Sequence, residues 1–240
     1  MTKKERFSYV INWFQQHMPE PETELNFSNP YELLVAVILS AQCTDKRVNI
    51  VTPPLFAVFP TPQAMAKAEF DDINPLIRSV SFANNKTRHL MGMARMLVDD
   101  FKGEVPDTVE DLEKLPGVGR KTAHVITSVI HQQPHMAVDT HVFRVSARIG
   151  LTLNAKNPLQ TEQQLVKHIP VELIHHAHHW LILHGRYICI ARRPKCEICG
   201  LRPVCKFYQT DMKYIVKEEQ EPLTPEEVKK GITNKSKGAA

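Results

Sequence analysis

The sequence predicts an all-α protein, and three observations carry that prediction. Apolar residues recur at three- and four-residue intervals, as in Phe7, Val10, Ile11 and Phe14, and again in Val125, Ile126, Val129 and Ile130. That spacing lines one face of a helix. No stretch alternates apolar and polar residues as a half-buried strand would. Prolines then cut the chain at 19–21, 29–30, 53–54, 60–62, 75, 106, 116, 134, 158 and 170. Together these signals predict about ten helices of ordinary length joined by short turns.

Taken in order, residues 1–10, MTKKERFSYV, are charged and lack the apolar run and small-residue cleavage site of a secretory signal, so export is not expected. Residues 33–41 form the longest apolar stretch, interrupted at Ser40. They fall well short of the roughly 18 residues a membrane span needs and read as a buried core helix of a soluble protein. Asp107 and Glu110, three apart, make a capping-box pattern ahead of a helix, and Asp139 or Thr140 is placed to cap the run 141–149. Residues 212–240 mix Glu and Lys with Pro and Gly and carry few large apolar side chains, which predicts a disordered tail.

With 240 residues and a hydrophobic fraction of 42%, the chain can bury a real core. A formal net charge of +4 permits nucleic-acid binding without establishing it. Placement says more: Arg120 and Lys121 share one Gly-rich turn, while Arg192, Arg193 and Lys195 fall inside a cysteine-rich segment. Two basic loops could grip one phosphate backbone. Four of the five cysteines crowd between Cys189 and Cys205. In a non-secreted protein this argues for a metal centre in a reducing cytoplasm, not a disulfide framework.

Residues 115–123, LPGVGRKTA, read as a helix, a tight turn and a second helix. Pro116 stops the first helix, and Gly117 and Gly119 permit positive φ and close backbone approach. Around Val118 and Arg120 the turn would expose N–H groups beside a helix N-terminus, an arrangement suited to a phosphate oxygen. Lys121 sits in the first turn of the second helix, where the dipole favours the neutral amine and burial would reinforce it. A neutral lysine is a nucleophile able to form a Schiff base. Eighteen residues on, VDTHVFRV at 138–145 places Asp139 at a helix entrance. An ionised carboxylate there could stabilise developing positive charge and assist proton transfer.

Cys189, Cys196, Cys199 and Cys205 are spaced C-x6-C-x2-C-x5-C. Structural zinc sites more often pair two C-x2-C-like units, whereas the wider gaps here suit a cubane whose irons each take one thiolate. Cys43 stands apart as a buried thiol, and His175 and His179, four apart, invite a metal reading that the surrounding sequence does not support.

These motifs resemble, in order and spacing, the helix-hairpin-helix DNA glycosylase superfamily, and within it the endonuclease III family. The likeness runs from about residue 7 to 208: LSAQCTDK at 39–46, the LPGVGRKTA hairpin, VDTH, HHWLILHGRY at 178–187 and the four cysteines. It implies a two-lobed fold, with a six-helix barrel at 21–134 and a second lobe, bearing an iron-sulfur loop, from 1–20 and 135–211. It further implies double-stranded DNA with a damaged base as the partner, in a cytoplasmic, nucleoid-associated setting with no obligate protein partner. Lys121 and Asp139 take the catalytic positions, and the cysteines hold a [4Fe-4S] cluster. Gln42 and Phe82 fill the gap left by an extruded nucleotide. Phe82 departs from the family's usual leucine, and His124 from its usual asparagine. The implied activity is bifunctional: excision of an oxidised pyrimidine, then strand cleavage 3′ to the abasic site by β-elimination. Mispair glycosylases of the superfamily typically lack the lysine, and a non-catalytic iron-sulfur DNA-binding protein would not need the Lys121–Asp139 pair.

Overall fold

A computed structural model describes residues 1–212, so the expected tail at 212–240 lies, beyond Met212, outside the described residues. All regular structure among them is helical: α1 (Lys3–His17), α2 (Pro30–Ser40), α3 (Asp45–Val58), α4 (Pro62–Ala66), α5 (Phe70–Ile77), α6 (Ala83–Phe101), α7 (Val109–Leu112), α8 (Arg120–His131), α9 (Thr140–Ile149), α10 (Pro158–Val166) and α11 (Ile174–Tyr187). The chain forms two compact units. One is Thr23–Ala137; the other joins Met1–Glu22 to the chain from Val138 on.

Helix starts follow local side-chain chemistry. Thr2, Asn29, Thr44, Thr61, Asp139 and Asn157 each accept a hydrogen bond from an N–H of the first turn, and proline opens α2, α4 and α10, where no N–H is needed. The expected Asp107 cap is displaced by one residue. Thr108 Oγ1 accepts from Asp111 N–H at 3.2 Å, while the Asp107 carbonyl accepts from the Gln133 side chain at 2.9 Å. The threonine hydroxyl reaches the N–H three residues on, and Asp111 meets it from the far side of the same turn.

Three prolines expected as breakers lie inside helices: Pro53 and Pro54 in α3, and Pro75 in α5. All three are exposed, so the carbonyls that lose an N–H partner can be hydrated instead.

In the unit Thr23–Ala137, α2 is the centre. Tyr31 and every residue from Leu33 to Leu39 are buried, with α3, α6 and α8 packed around them. A helix apolar on all sides can only be the middle of a core. The other unit is organised by α1, α9 and α11. Phe14 stacks on Trp180 with centroids 5.5 Å apart, and Trp180 Nε1 donates to the Met18 carbonyl at 2.6 Å. Gly185 lets α9 approach α11, since a Cβ there would stand 2.9 Å from the His141 Cβ. Among the described residues no helix is long and apolar enough to cross a membrane.

Truncating the fully buried Leu34 to alanine is expected to cost about 2–5 kcal/mol, read as a lower denaturation midpoint with the slope unchanged.

Candidate nucleic-acid interface and cysteine centre

The Gly-rich turn is anchored from below and open above. Leu115 and Val118 are buried, and Val118 N–H donates to the Leu115 carbonyl at 3.0 Å. The helix before it ends at Leu112, and residues 113–118 make the turn. Gly117 has φ +83°, and a Cβ on it would lie 2.8 Å from the His89 Cβ of α6, so both the conformation and the space demand glycine. Gly119 differs from expectation. It is extended at φ −107°, caps α8 without a side chain, and has nothing within 4 Å of where a Cβ would be. Among the described residues the Gly117, Gly119 and Lys121 N–H groups have no backbone acceptor, and all three residues are exposed. This surface can receive an anion. The Val118 side chain belongs to the core, and its N–H is already committed to the turn.

Lys121 is the second residue of α8 and is exposed, so the protein itself does not supply the expected burial. Glu113 is exposed as well. Asp139 is half-buried at the N-cap of α9, its Oδ1 accepting from Val142 N–H at 2.8 Å. Burial holds the nearby His141 and Arg144 below their ordinary pKa values, and the Asp139 carboxylate pulls both the other way. Asp139 therefore combines the structural role open to any N-cap with an electrostatic one.

Gln42 and Phe82 share an unusual backbone. Both are left-handed, at φ 54° and 58°, both are exposed, and Phe82 keeps 63% of its surface accessible. Packing of Phe82 into a helix interface is thereby ruled out. Non-glycine residues take this conformation uncommonly, at a cost of roughly 1–3 kcal/mol, and cluster where function needs them.

The four cysteines line one small, largely apolar pocket with Ile149, His184, Ile188, Leu201 and Phe207. Burial pushes the Cys196 thiol up to about 11, and raises Cys199 and Cys205 as well. Such thiols ionise only beside a compensating cation. His184 Nε2 lies 3.6 Å from Cys199 Sγ, and burial pushes that imidazole down to about 4, so it is neutral at physiological pH. Among the described residues no three His, Cys, Asp or Glu side chains converge on a single-ion site, His175 and His179 included. All four thiols lie on that one pocket, a donor set of the kind an iron-sulfur cluster takes.

Two residues that motif reading passed over hold the loop after Cys189. Arg148 donates to the Ile190 and Ala191 carbonyls at 2.7 and 2.8 Å and stacks over Phe207 at 4.7 Å. One turn earlier, Arg144 donates to the Gly185 carbonyl at 2.9 Å and the Cys189 carbonyl at 3.1 Å. Their four-residue spacing on one helix was the available signal. The loop they brace carries Arg192 and Arg193, both exposed, and the half-buried Lys195. Arg193 takes φ 57°.

An all-helical chain with an open Gly-rich hairpin and a four-cysteine cavity defines a class, and residues 35–171 match the model of the HhH-GPD superfamily base excision DNA repair proteins. It is 45% identical to the endonuclease III of Rickettsia conorii over 83% of this chain and 94% of that protein. It is 43% identical to the endonuclease III of Escherichia coli strain K12 over 86% of this chain and 97% of that one. A solved structure of a trapped endonuclease III–DNA covalent intermediate is similar with a TM-score of 0.83 and 42% identity, covering 88% of this chain and 100% of that one. The chain belongs to the endonuclease III family.

The two hairpin glycines separate experimentally. Gly117→Ala is expected to destabilise by at least about 1–2 kcal/mol in chemical denaturation, and Gly119→Ala by no more than about 0.5 kcal/mol.

Proposed function

We propose that this protein is a DNA glycosylase with abasic-site lyase activity, removing oxidised pyrimidines from duplex DNA and then cutting the strand 3′ to the lesion. The observation that carries the reading is Lys121, exposed in the first turn of α8 beside an anion-ready hairpin, in a chain 42% identical to an enzyme trapped covalently on DNA.

Exposed N–H groups of Gly117, Gly119 and Lys121, together with Arg120, would hold one phosphate run beside Pro116. Arg192, Arg193 and Lys195 would hold another. Such contacts set the register on DNA without reading its sequence. Gln42 and Phe82 would fill the gap as the damaged nucleotide leaves the stack. The unprotonated Lys121 amine then attacks C1′, the C1′–base bond breaks, and the base departs with the bonding pair and takes up a proton. Opening of the sugar ring yields a Schiff base between C1′ and Lys121 Nζ. Loss of a C2′ proton expels the 3′ phosphate by β-elimination, and water releases the lysine. Asp139, with one oxygen engaged at the cap of α9, would steady the positive charge at the sugar and accept a proton from the attacking amine. DNA bound over Lys121 would supply the water exclusion that the exposed side chain lacks in the free chain.

Cys189, Cys196, Cys199 and Cys205 would bind a [4Fe-4S] cluster, whose iron supplies the positive charge that buried thiolates require. Arg144 and Arg148 tie that centre to α9 and so fix the basic loop from its base. The DNA substrate also implies a nucleoid-associated place of work.

Sodium borohydride should trap the unaltered protein covalently on DNA containing thymine glycol. Lys121→Gln should lose the adduct entirely, while Asp139→Asn should slow excision by about 10²–10⁴-fold, the range for one positioned acid-base group. Absence of any adduct on oxidised pyrimidines would overturn the lyase reading. Metal analysis should find iron and acid-labile sulfide in equal amounts and no stoichiometric zinc. Cys199→Ser should lower both and weaken DNA binding.

A further inference from the structure

Lys86 is a buried cation in the unit Thr23–Ala137 that the proposed chemistry does not use, with only 4% of its surface exposed. Lysine is almost never buried without partners. Here the partners are main-chain oxygens: Nζ donates to the Leu39 carbonyl at 2.8 Å and to the Ala41 carbonyl at 2.7 Å. These oxygens end α2, where the helix runs out of N–H donors and its dipole favours a positive charge. Adjacent carbonyls find other donors. Ser40 Oγ serves Val37 at 2.9 Å, and Cys43 N–H serves Ser40 at 3.0 Å. Lys86 is thus a C-terminal cap for α2 supplied by a different helix.

The same residue lies in the first turn of α6. Its own N–H donates to the Phe82 carbonyl at 3.1 Å, closing the first helical turn. Gln42 follows Ala41 directly, and Phe82 precedes α6 directly. One residue therefore joins the two turns that present these exposed, left-handed side chains. Strained backbone of this kind persists only where surrounding contacts over-determine it.

We propose that Lys86 is a positioning residue for nucleotide extrusion, clamping the Gln42 turn to the first turn of α6 so that Gln42 and Phe82 enter the duplex as a pre-set pair. The inference rests on the assignment of Gln42 and Phe82 as gap fillers. Pre-organisation matters here because unstacking the damaged base already costs free energy, and ordering two loose turns at the same moment would add to it.

Lys86→Met keeps the apolar stem and removes every donor; Lys86→Gln keeps N–H donors on a shorter, uncharged arm. Single-turnover excision of thymine glycol from duplex DNA should fall at least about tenfold in Lys86→Met, with partial recovery in Lys86→Gln. The fluorescence rise of 2-aminopurine placed beside the lesion should fall in parallel. Borohydride trapping at a pre-formed abasic site should drop no more than about threefold, because no stacked base has to be displaced. Adding Gln42→Ala to Lys86→Met should cost little beyond either change alone, as expected of residues acting as one unit.

Equal losses on the two substrates would reveal a general structural role and overturn the proposal, as would full activity of Lys86→Met. If Lys86→Met does not fold, Lys86→Gln decides by the same comparison of substrates. Unaltered protein that excises no oxidised pyrimidine would sink the functional reading and this proposal together. An active protein indifferent to Lys86 would sink the proposal alone.

Discussion

A helix leaves its first N–H groups and last carbonyls without partners, and most of this structure can be traced to how each end is satisfied. Threonine, asparagine and aspartate side chains close the N-termini of seven helices, Asp139 among them. Gly119, at the start of α8, offers no side chain at all, so the N–H groups there stay available to an anion. At the other pole, the last carbonyls of α2 are taken by the ammonium of the buried Lys86. The proposed hairpin contacts and wedges thus lie at helix ends, where the backbone has hydrogen bonds to give.

Burial decides how much each of these ends matters. The α2 helix is apolar on all sides and cannot shift without disturbing α3, α6 and α8 together. The Gln42 turn inherits that rigidity, being one residue from the capped end. The hairpin is rooted likewise by Leu115 and Val118, and Gly117 sits against His89 without room for a methyl group. Local strain at Gln42 and Phe82 is tolerable because it is carried by elements that cannot relax.

The cysteine centre illustrates a different balance. Burial raises the Cys196, Cys199 and Cys205 thiols, and the proposed cluster would offset the cost of ionising them. Arg148 spans this centre and the basic loop, with one nitrogen 3.6 Å from Cys189 Sγ and both terminal nitrogens on loop carbonyls. With Arg144 on the Cys189 carbonyl, two side chains of α9 thus brace both the proposed ligands and the proposed phosphate contacts.

Much of the local structure was legible in the residues alone. Periodicity revealed the helices, Asp139 was readable as a cap, and the crowding of four cysteines between Cys189 and Cys205 put them on one pocket. These signals are local, resting on side chains that act within a few residues of themselves. What escaped was whatever depended on distant neighbours. Pro53, Pro54 and Pro75 read as breakers because exposure decides whether a lost hydrogen bond can be replaced by water. Only packing shows that the Val118 side chain points into the core. Lys86 was invisible in a polar stretch, since its partners lie more than forty residues away in sequence. The order of residues alone dictated the helices, the hairpin and the grouping of four cysteines. Only the tertiary structure decided which exposed groups were free to act and which were already spent on the fold, because a hydrogen bond or a buried surface belongs to two segments and neither can declare it alone.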